Sequence, residues 1–198
     1  MKQHSERRIL FIHDGPIYSD KEGRVYGIHY SNKIVDRYRV LGQHIRFLMR
    51  RQMLPVSESK DRYSQITAPD FEFIPIPDFK SLSAFFSRRK EATKIIHQAI
   101  DESDMVIIRM PSAAGGIAID YCDQIKKPFL VEMVACTLDA YWHYSWKGKL
   151  IAHWRYYLVR KSMLKVKYCI YVSEIFLQKR YPISGKSIHC SNVALKEM

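Results

Sequence analysis

Seven short apolar runs, separated by stretches of helical period, constrain this chain more than any other feature of its sequence. Arg8–His13 (RILFIH), His44–Arg50 (HIRFLMR), Phe71–Pro75 (FEFIP), Asp104–Arg109 (DMVIIR), Pro128–Val134 (PFLVEMV), Tyr168–Val172 (YCIYV) and Ser187–Ser191 read as strands. Most carry apolar residues with little polar interruption, the pattern of strands covered on both faces. Helical spacing fills the intervals at Ser31–Gly42, Leu82–Asp101, Ala113–Lys126, Leu150–Lys165 and Glu174–Tyr181. The clearest is Leu82–Asp101, where Leu82, Phe85, Phe86, Ala92, Ile95, Ile96, Ala99 and Ile100 lie near one face and Ser81 is placed to cap the start. In Leu150–Lys165 the apolar positions Leu150, Ile151, Trp154, Leu158 and Leu164 predict a face that packs on the sheet. Strands alternating with helices predict an α/β fold in three layers, with a mostly parallel sheet of about seven strands. HDGP is expected to end the first strand, and Tyr18–Gly27 and Met53–Pro69 read as loops.

A chain of 198 residues, 47% hydrophobic and 26% charged, can bury a full core and is not of disordered composition. It holds no run near the ~18 apolar residues of a membrane span. Ile9–Ile12 is too short for the apolar part of a signal peptide, so the expected location is cytoplasmic. The cysteines Cys122, Cys136, Cys169 and Cys190 are widely spaced without a C-x-x-C pair, and buried free thiols are expected.

The charge is unusual: 32 Lys and Arg against 20 Asp and Glu give a net +12, which favours anionic partners. Segment 140–173 concentrates it, with Lys147, Lys149, Arg155, Arg160, Lys161, Lys165 and Lys167 and no acidic residue. All three tryptophans, Trp142, Trp146 and Trp154, lie there beside Tyr141, Tyr144, Tyr156 and Tyr157. Three readings fit. Lys147, Lys149, Arg155, Arg160 and Lys161 meet an anionic membrane with the rings at headgroup depth; the rings stack on single-stranded nucleic acid; or the segment is a solvated basic face over buried aromatics. Parallel α/β sheets more often serve small ligands, so nucleic acid is not expected as a partner.

In an open α/β sheet, ligands bind beyond the carboxyl ends of the strands. That rule selects His13, Asp14 and Gly15, Arg50 and Arg51, Arg109, Pro111 and Ser112, Glu132, and Ser173. Arg50 and Arg109, from separate strands, suit an anionic group, since guanidinium matches phosphate or carboxylate in bidentate fashion. The helix entered through Ser112 and Gly115-Gly116 offers backbone N–H groups to the same charge. No G-x-G-x-x-G follows the first strand, no G-x-x-x-x-G-K-[ST] is present, and no G-x-S-x-G elbow occurs. His13 and Asp14, adjacent on a strand, point to opposite faces and make a poor metal pair.

Taken in order, these segments resemble the amino-terminal half of family 4 (group 1) bacterial glycosyltransferases, enzymes of capsular and other surface polysaccharides. The resemblance rests on ILFIHDGPIY with Tyr26-Gly27, VIIRMPS at 106–112, KPFLVEMV at 127–134 and the helix entry Lys147-Gly148-Lys149-Leu150. It extends through YVSEIFLQKRYP at 171–182 and Gly185-Lys186 leading into CSNVAL at 190–195. It implies a GT-B architecture, two Rossmann-like domains facing a cleft, of which residues 1–198 form the single N-terminal, acceptor-side domain. The nucleotide-sugar domain lies outside this chain, and Ser191-Asn192-Val193 falls where the family's chain crosses to it. The implied partners are a nucleotide-sugar donor, held mainly by that other domain, and a saccharide acceptor, free or linked to polyprenyl phosphate. That acceptor implies a peripheral place at the inner face of the plasma membrane.

The full protein is then the enzyme, and this chain alone lacks half of a two-substrate site. No cofactor or metal is implied, because basic residues and helix N-termini can stabilise a departing diphosphate. By position, Asp14, Gly15, Arg50, Arg109 and Ser112 are the substrate-binding candidates and Glu132 the catalytic one. Two departures stand out. Many relatives carry a His after the strand matching Pro128–Val134, where this chain has Val134-Ala135, and the family's Gly-rich first loop is reduced to Asp14-Gly15-Pro16. The alternative is a non-catalytic truncated homologue that docks on a membrane or a partner chain.

Overall fold

The computed structural model describes residues 6–55, 62–79, 82–142 and 146–191, without the side chains of 82–86, 140–142, 146–148 and 150. The expected cap Ser81 and the crossing residues Asn192 and Val193 therefore lie outside the described residues. So do Tyr144 and the side chains of Leu82, Phe85, Phe86, Tyr141, Trp142, Trp146, Lys147 and Leu150. The fold is α/β with a mostly parallel sheet, as the alternation of apolar runs and helices predicts. Its packing divides into two compact units, Met1–Ile107 and Ile108–Met198.

The first unit contains β1 (Arg8–Ser19), β2 (Val25–Gly27), α1 (Asn32–Tyr38), β3 (His44–Met53), β4 (Ser64–Gln65), β5 (Phe71–Ile76) and α2 (Leu82–Asp101), followed by the start of β6 (Met105–Met110). β1 pairs in parallel with β3, and β3 with β5. Ile9, Leu10, Phe11 and Ile12 are all fully buried, as expected of a strand covered on both faces. Phe11 stacks on Tyr38 at 5.4 Å between ring centroids and tilts against Phe47 at 4.8 Å, forming an aromatic centre with Tyr30. α2 buries Ala92, Ile96, Ala99 and Ile100, the stripe its period predicts.

HDGP does not end β1. The strand runs on to Ser19, and its register with β3 shifts: Ile12 faces Leu48, then Pro16 faces Arg50. Four residues of β1 thus span two of β3, and this bulge admits Pro16, which has no N–H to give the ladder. Tyr18–Gly27 is likewise not wholly a loop, since β1 folds back on β2 with Tyr18 opposite Tyr26. Gly23, at φ 80°, makes the turn between them. β4, inside the expected loop Met53–Pro69, adds to β2 in antiparallel fashion.

The second unit takes up β6 and continues with α3 (Ala113–Ile125), β7 (Phe129–Met133), α4 (Thr137–Trp142), α5 (Trp146–Met163), β8 (Tyr168–Tyr171), α6 (Phe176–Arg180) and β9 (Lys186–His189). Its strands lie in the order β6-β7-β8-β9, with β7, β8 and β9 parallel. All seven expected strands are present, and β2 and β4 bring the described total to nine. α4 had no counterpart among the expected helices. Cys122, Cys136 and Cys169 are buried free thiols as expected, but Cys190 is exposed, because β9 is exposed along its whole length.

Candidate functional site

In the first unit the bulge of β1 gathers three of the candidates. The Gly15 N–H donates to His13 Nδ1 at 3.0 Å, and Tyr30 Oη lies 3.0 Å from the same nitrogen. An Nδ1 that accepts from a backbone N–H places the proton of a neutral ring on Nε2. A Cβ on Gly15 would sit 2.6 Å from His13 Nδ1, so the tight approach of ring and backbone requires glycine. Arg50 reaches this bulge from β3: its Nε donates to the Asp14 carbonyl at 2.5 Å and its Nη1 to Asp78 Oδ2 at 2.5 Å. Asp14 itself is buried. The structure thus brings Asp14, Gly15 and Arg50 together, with Arg50 pinning the bulge between a carbonyl and a carboxylate.

In the second unit Arg109, one residue before the end of β6, meets Glu132, one residue before the end of β7. Arg109 Nε and Nη2 both donate to Glu132 Oε2, at 3.0 and 2.8 Å. The side chains are only 13% and 11% exposed, so the pair is largely withdrawn from water. Strand spacing explains the meeting: β6 and β7 are neighbours in the sheet, which brings their side chains within reach of a long guanidinium. Ser112 accepts the Gly115 N–H at 2.8 Å and caps α3. A Cβ on Gly115 would lie 2.5 Å from Ser112 Oγ and 2.6 Å from Met110 Sδ, so this glycine serves close packing at the helix start.

A network that sequence reasoning missed fastens the segment after β7. Buried Tyr181 accepts the Thr137 N–H at 2.9 Å, donates to Thr137 Oγ1 at 3.1 Å, and lies 3.5 Å from Cys136 Sγ. Burial pushes its hydroxyl up to about 12. Arg180 Nη1 donates to Cys136 Sγ and to Asp139 Oδ1, each at 3.3 Å. The available signal was YVSEIFLQKRYP, whose Tyr181 is the anchor. Among the described residues no three His, Cys, Asp or Glu side chains are grouped as metal ligands would be.

The basic segment departs from expectation. α5 buries Ala152, Val159 and Met163, whereas Ile151, Trp154, Leu158 and Leu164, expected to pack on the sheet, are exposed. α3 approaches this inward side of α5, with Gly116 near Ser162. Lys149 and Lys161 are exposed. Arg160, also exposed, donates to Tyr156 Oη at 3.1 Å and to the Arg180 carbonyl at 3.4 Å. Arg155 is half-buried, and its Nε finds no hydrogen-bond partner among the described residues. Lys165 is not simply solvated, since it pairs with Asp120 at 2.6 Å.

No family model matches the chain. It is similar to Protein CapJ of Staphylococcus aureus, with 31% identity over 180 residues. That match covers 90% of this chain and 45% of CapJ, so the chain spans a little under half the length of its curated relative. Among solved structures it is similar to a UGT transferase from Siraitia grosvenorii in complex with UDP, at 11% identity and a TM-score of 0.46, over 88% of this chain and 46% of that one. It is also similar to sucrose-phosphate synthase from Thermosynechococcus elongatus, at 13% identity and a TM-score of 0.46, over 94% of this chain and 48% of that one. The C-terminal domain of PF1911 hydrogenase from Pyrococcus furiosus follows at 15% identity and a TM-score of 0.37. Overlaps of this size assign no activity.

Proposed function

We propose that this chain is the N-terminal, acceptor-side domain of a glycosyltransferase that moves a sugar from a nucleotide-sugar donor to a saccharide acceptor. The observation that carries the reading is the placement of three family-like segments. VIIRMPS, KPFLVEMV and YVSEIFLQKRYP run through the carboxyl ends of β6, β7 and β8, where ligands bind in open α/β sheets. The partial coverage of CapJ fits a chain that is one half of a two-domain protein. In this reading Arg109 is the anchor for an anionic group, with Glu132 holding its guanidinium, and Ser112 sets the entry of α3. A lipid-linked acceptor would bring the domain to an anionic membrane.

The test is nucleotide-sugar turnover by a longer protein that joins this chain to a matching C-terminal half, compared with the chain alone. Transfer to a lipid-linked saccharide is expected only from the joined protein, because both substrates must be positioned. Arg109→Ala should lower kcat/KM by ten-fold or more, while Arg109→Lys should retain part of it, keeping the charge but losing the fork. Absence of transfer with any nucleotide sugar, in a joined protein that folds, would overturn the reading. One observation favours the second reading, a non-catalytic partner-binding module: Arg50 and Arg109 already spend donors on protein acceptors. Unchanged turnover in Arg109→Ala would remove that residue from the site.

A further inference from the structure

We propose that the outward face of α5 docks on anionic lipid by inserting apolar side chains into the bilayer interface, with its lysines and arginines meeting the headgroups. Ile151, Trp154 and Leu158 are 48%, 56% and 37% exposed. Their spacing of three and four residues puts them in one stripe along the helix. Tyr157 and Leu164, beside that stripe, are exposed as well. The core draws on the other side of α5, through Ala152, Val159 and Met163, so the larger apolar groups contribute little to packing within the described residues. Scattered exposed apolar residues are ordinary, but a stripe holding a tryptophan, an isoleucine and a leucine on one helix marks a surface that another phase or molecule covers.

Charge decides the occupant. Lys161, about two helical turns beyond Trp154, flanks the stripe and is exposed, as are Lys149 and Arg160 elsewhere on α5, and no acidic residue occurs in 140–173. A second copy of a chain with net charge +12 would bring like charge against this face. An anionic leaflet supplies the opposite sign over a whole plane, and Trp and Tyr suit its boundary because one end of each ring system is apolar and the other polar. No helix among the described residues is long and apolar enough to cross a membrane, so α5 would lie in the interface plane and not span it. The surface is independent of the transfer reaction proposed above, and its test needs no activity.

The probe is flotation of the purified chain with phosphatidylglycerol-rich vesicles and with phosphatidylcholine vesicles. Binding is expected to the first and to be weak on the second. Removing Lys149 and Lys161 as glutamines should weaken it roughly five-fold per residue, and Trp154→Ser with Leu158→Ser about ten-fold or more. Val40→Ser, at an exposed apolar position outside α5, should change nothing. Added salt should reduce binding without abolishing it, because insertion is not screened. A protein with Trp142→Phe and Trp146→Phe leaves Trp154 as the reporter, and its emission should shift to the blue on anionic vesicles and be quenched by brominated lipid tails. Three results would each overturn the proposal: equal binding to both vesicle types, no change in Trp154 emission, or a lipid-free oligomer that Trp154→Ser disperses. Should a multiple variant fail to fold, the Trp154 reporter still decides.

Discussion

Helices α2 and α5, of 20 and 18 residues, are both rich in apolar groups at helical spacing, yet they differ in which of their large apolar groups they bury. α2 turns Ile96 and Ile100 inward with Ala92 and Ala99. α5 turns Ala152, Val159 and Met163 inward and leaves Ile151, Trp154 and Leu158 partly exposed. Burying a large apolar side chain is worth roughly 1.5–3 kcal/mol, so a helix that forgoes several such burials is not built for stability alone. The difference teaches that period establishes a helix, while the packing partner selects the stripe.

The largest effects should come from the buried side of the contrast. Ile96→Ala removes a fully buried side chain and should cost about 2–5 kcal/mol, read as a lower urea midpoint at unchanged slope. A cost below 1 kcal/mol would mean that α2 is not packed as described. Next is the pair between β6 and β7. Arg109→Ala removes the guanidinium that Glu132 accepts from at 11% exposure and should cost about 3 kcal/mol. Replacing both residues by methionine should recover most of that loss, because an apolar pair carries no desolvation penalty. If the double variant is as unstable as the single one, the cost lies in lost packing and not in an orphaned charge.

Much of this contrast was legible in the sequence, and the remainder was not for physical reasons. Runs such as Ile9–Ile12 and Val106–Ile108 became strands because a strand buried on both faces must be apolar throughout, a rule that needs no knowledge of neighbours. β2 and β4, of three and two residues, carry no such run and exist through pairing alone. The bulge after Ile12 was hidden because HDGP has the composition of a turn, and only the register with β3 shows the strand continuing. At the candidate site, Arg50, Arg109 and Glu132 could be picked out as strand ends. Their partners could not, since Asp78 and the Arg109–Glu132 meeting depend on which strands and loops lie side by side. YVSEIFLQKRYP marked the segment of Tyr181, but its role as an anchor could not be read there, because its bonds reach 44 residues back along the chain.

Alkaline pH separates the inner side of the second unit from the outer. Burial pushes the Cys169 thiol up from 9.0 to about 12. An unfolded chain therefore releases this proton first as pH rises. The stabilisation is full below about pH 9 and is lost between about pH 9 and 12, at up to ~1.4 kcal/mol per pH unit. Tyr181, raised from 10.0 to about 12 by burial, adds to the loss from about pH 10. Urea midpoints should fall across that window, and Cys169→Val should flatten the first part of the fall. A flat profile in the wild type would place the thiol in contact with water.

The smallest effect is the most discriminating. Ile151→Ser and Leu158→Ser exchange apolar for polar groups on the outward stripe, which is only partly covered. Each should change stability by no more than about 0.5 kcal/mol, the range of ordinary surface substitutions. Serine has a weaker helix propensity than leucine, so the expected change is a slight loss. The same substitutions in α2, at Ile96 or Ile100, should cost several times more, because a hydroxyl would enter a sealed core without a partner. Thermal melts of the two sets, measured side by side, settle the matter. If Leu158→Ser melts as early as Ile96→Ser, the stripe on α5 is buried in solution, and the helices obey one rule after all. If it melts with the wild type while lipid binding falls, the stripe is kept for a surface outside the fold.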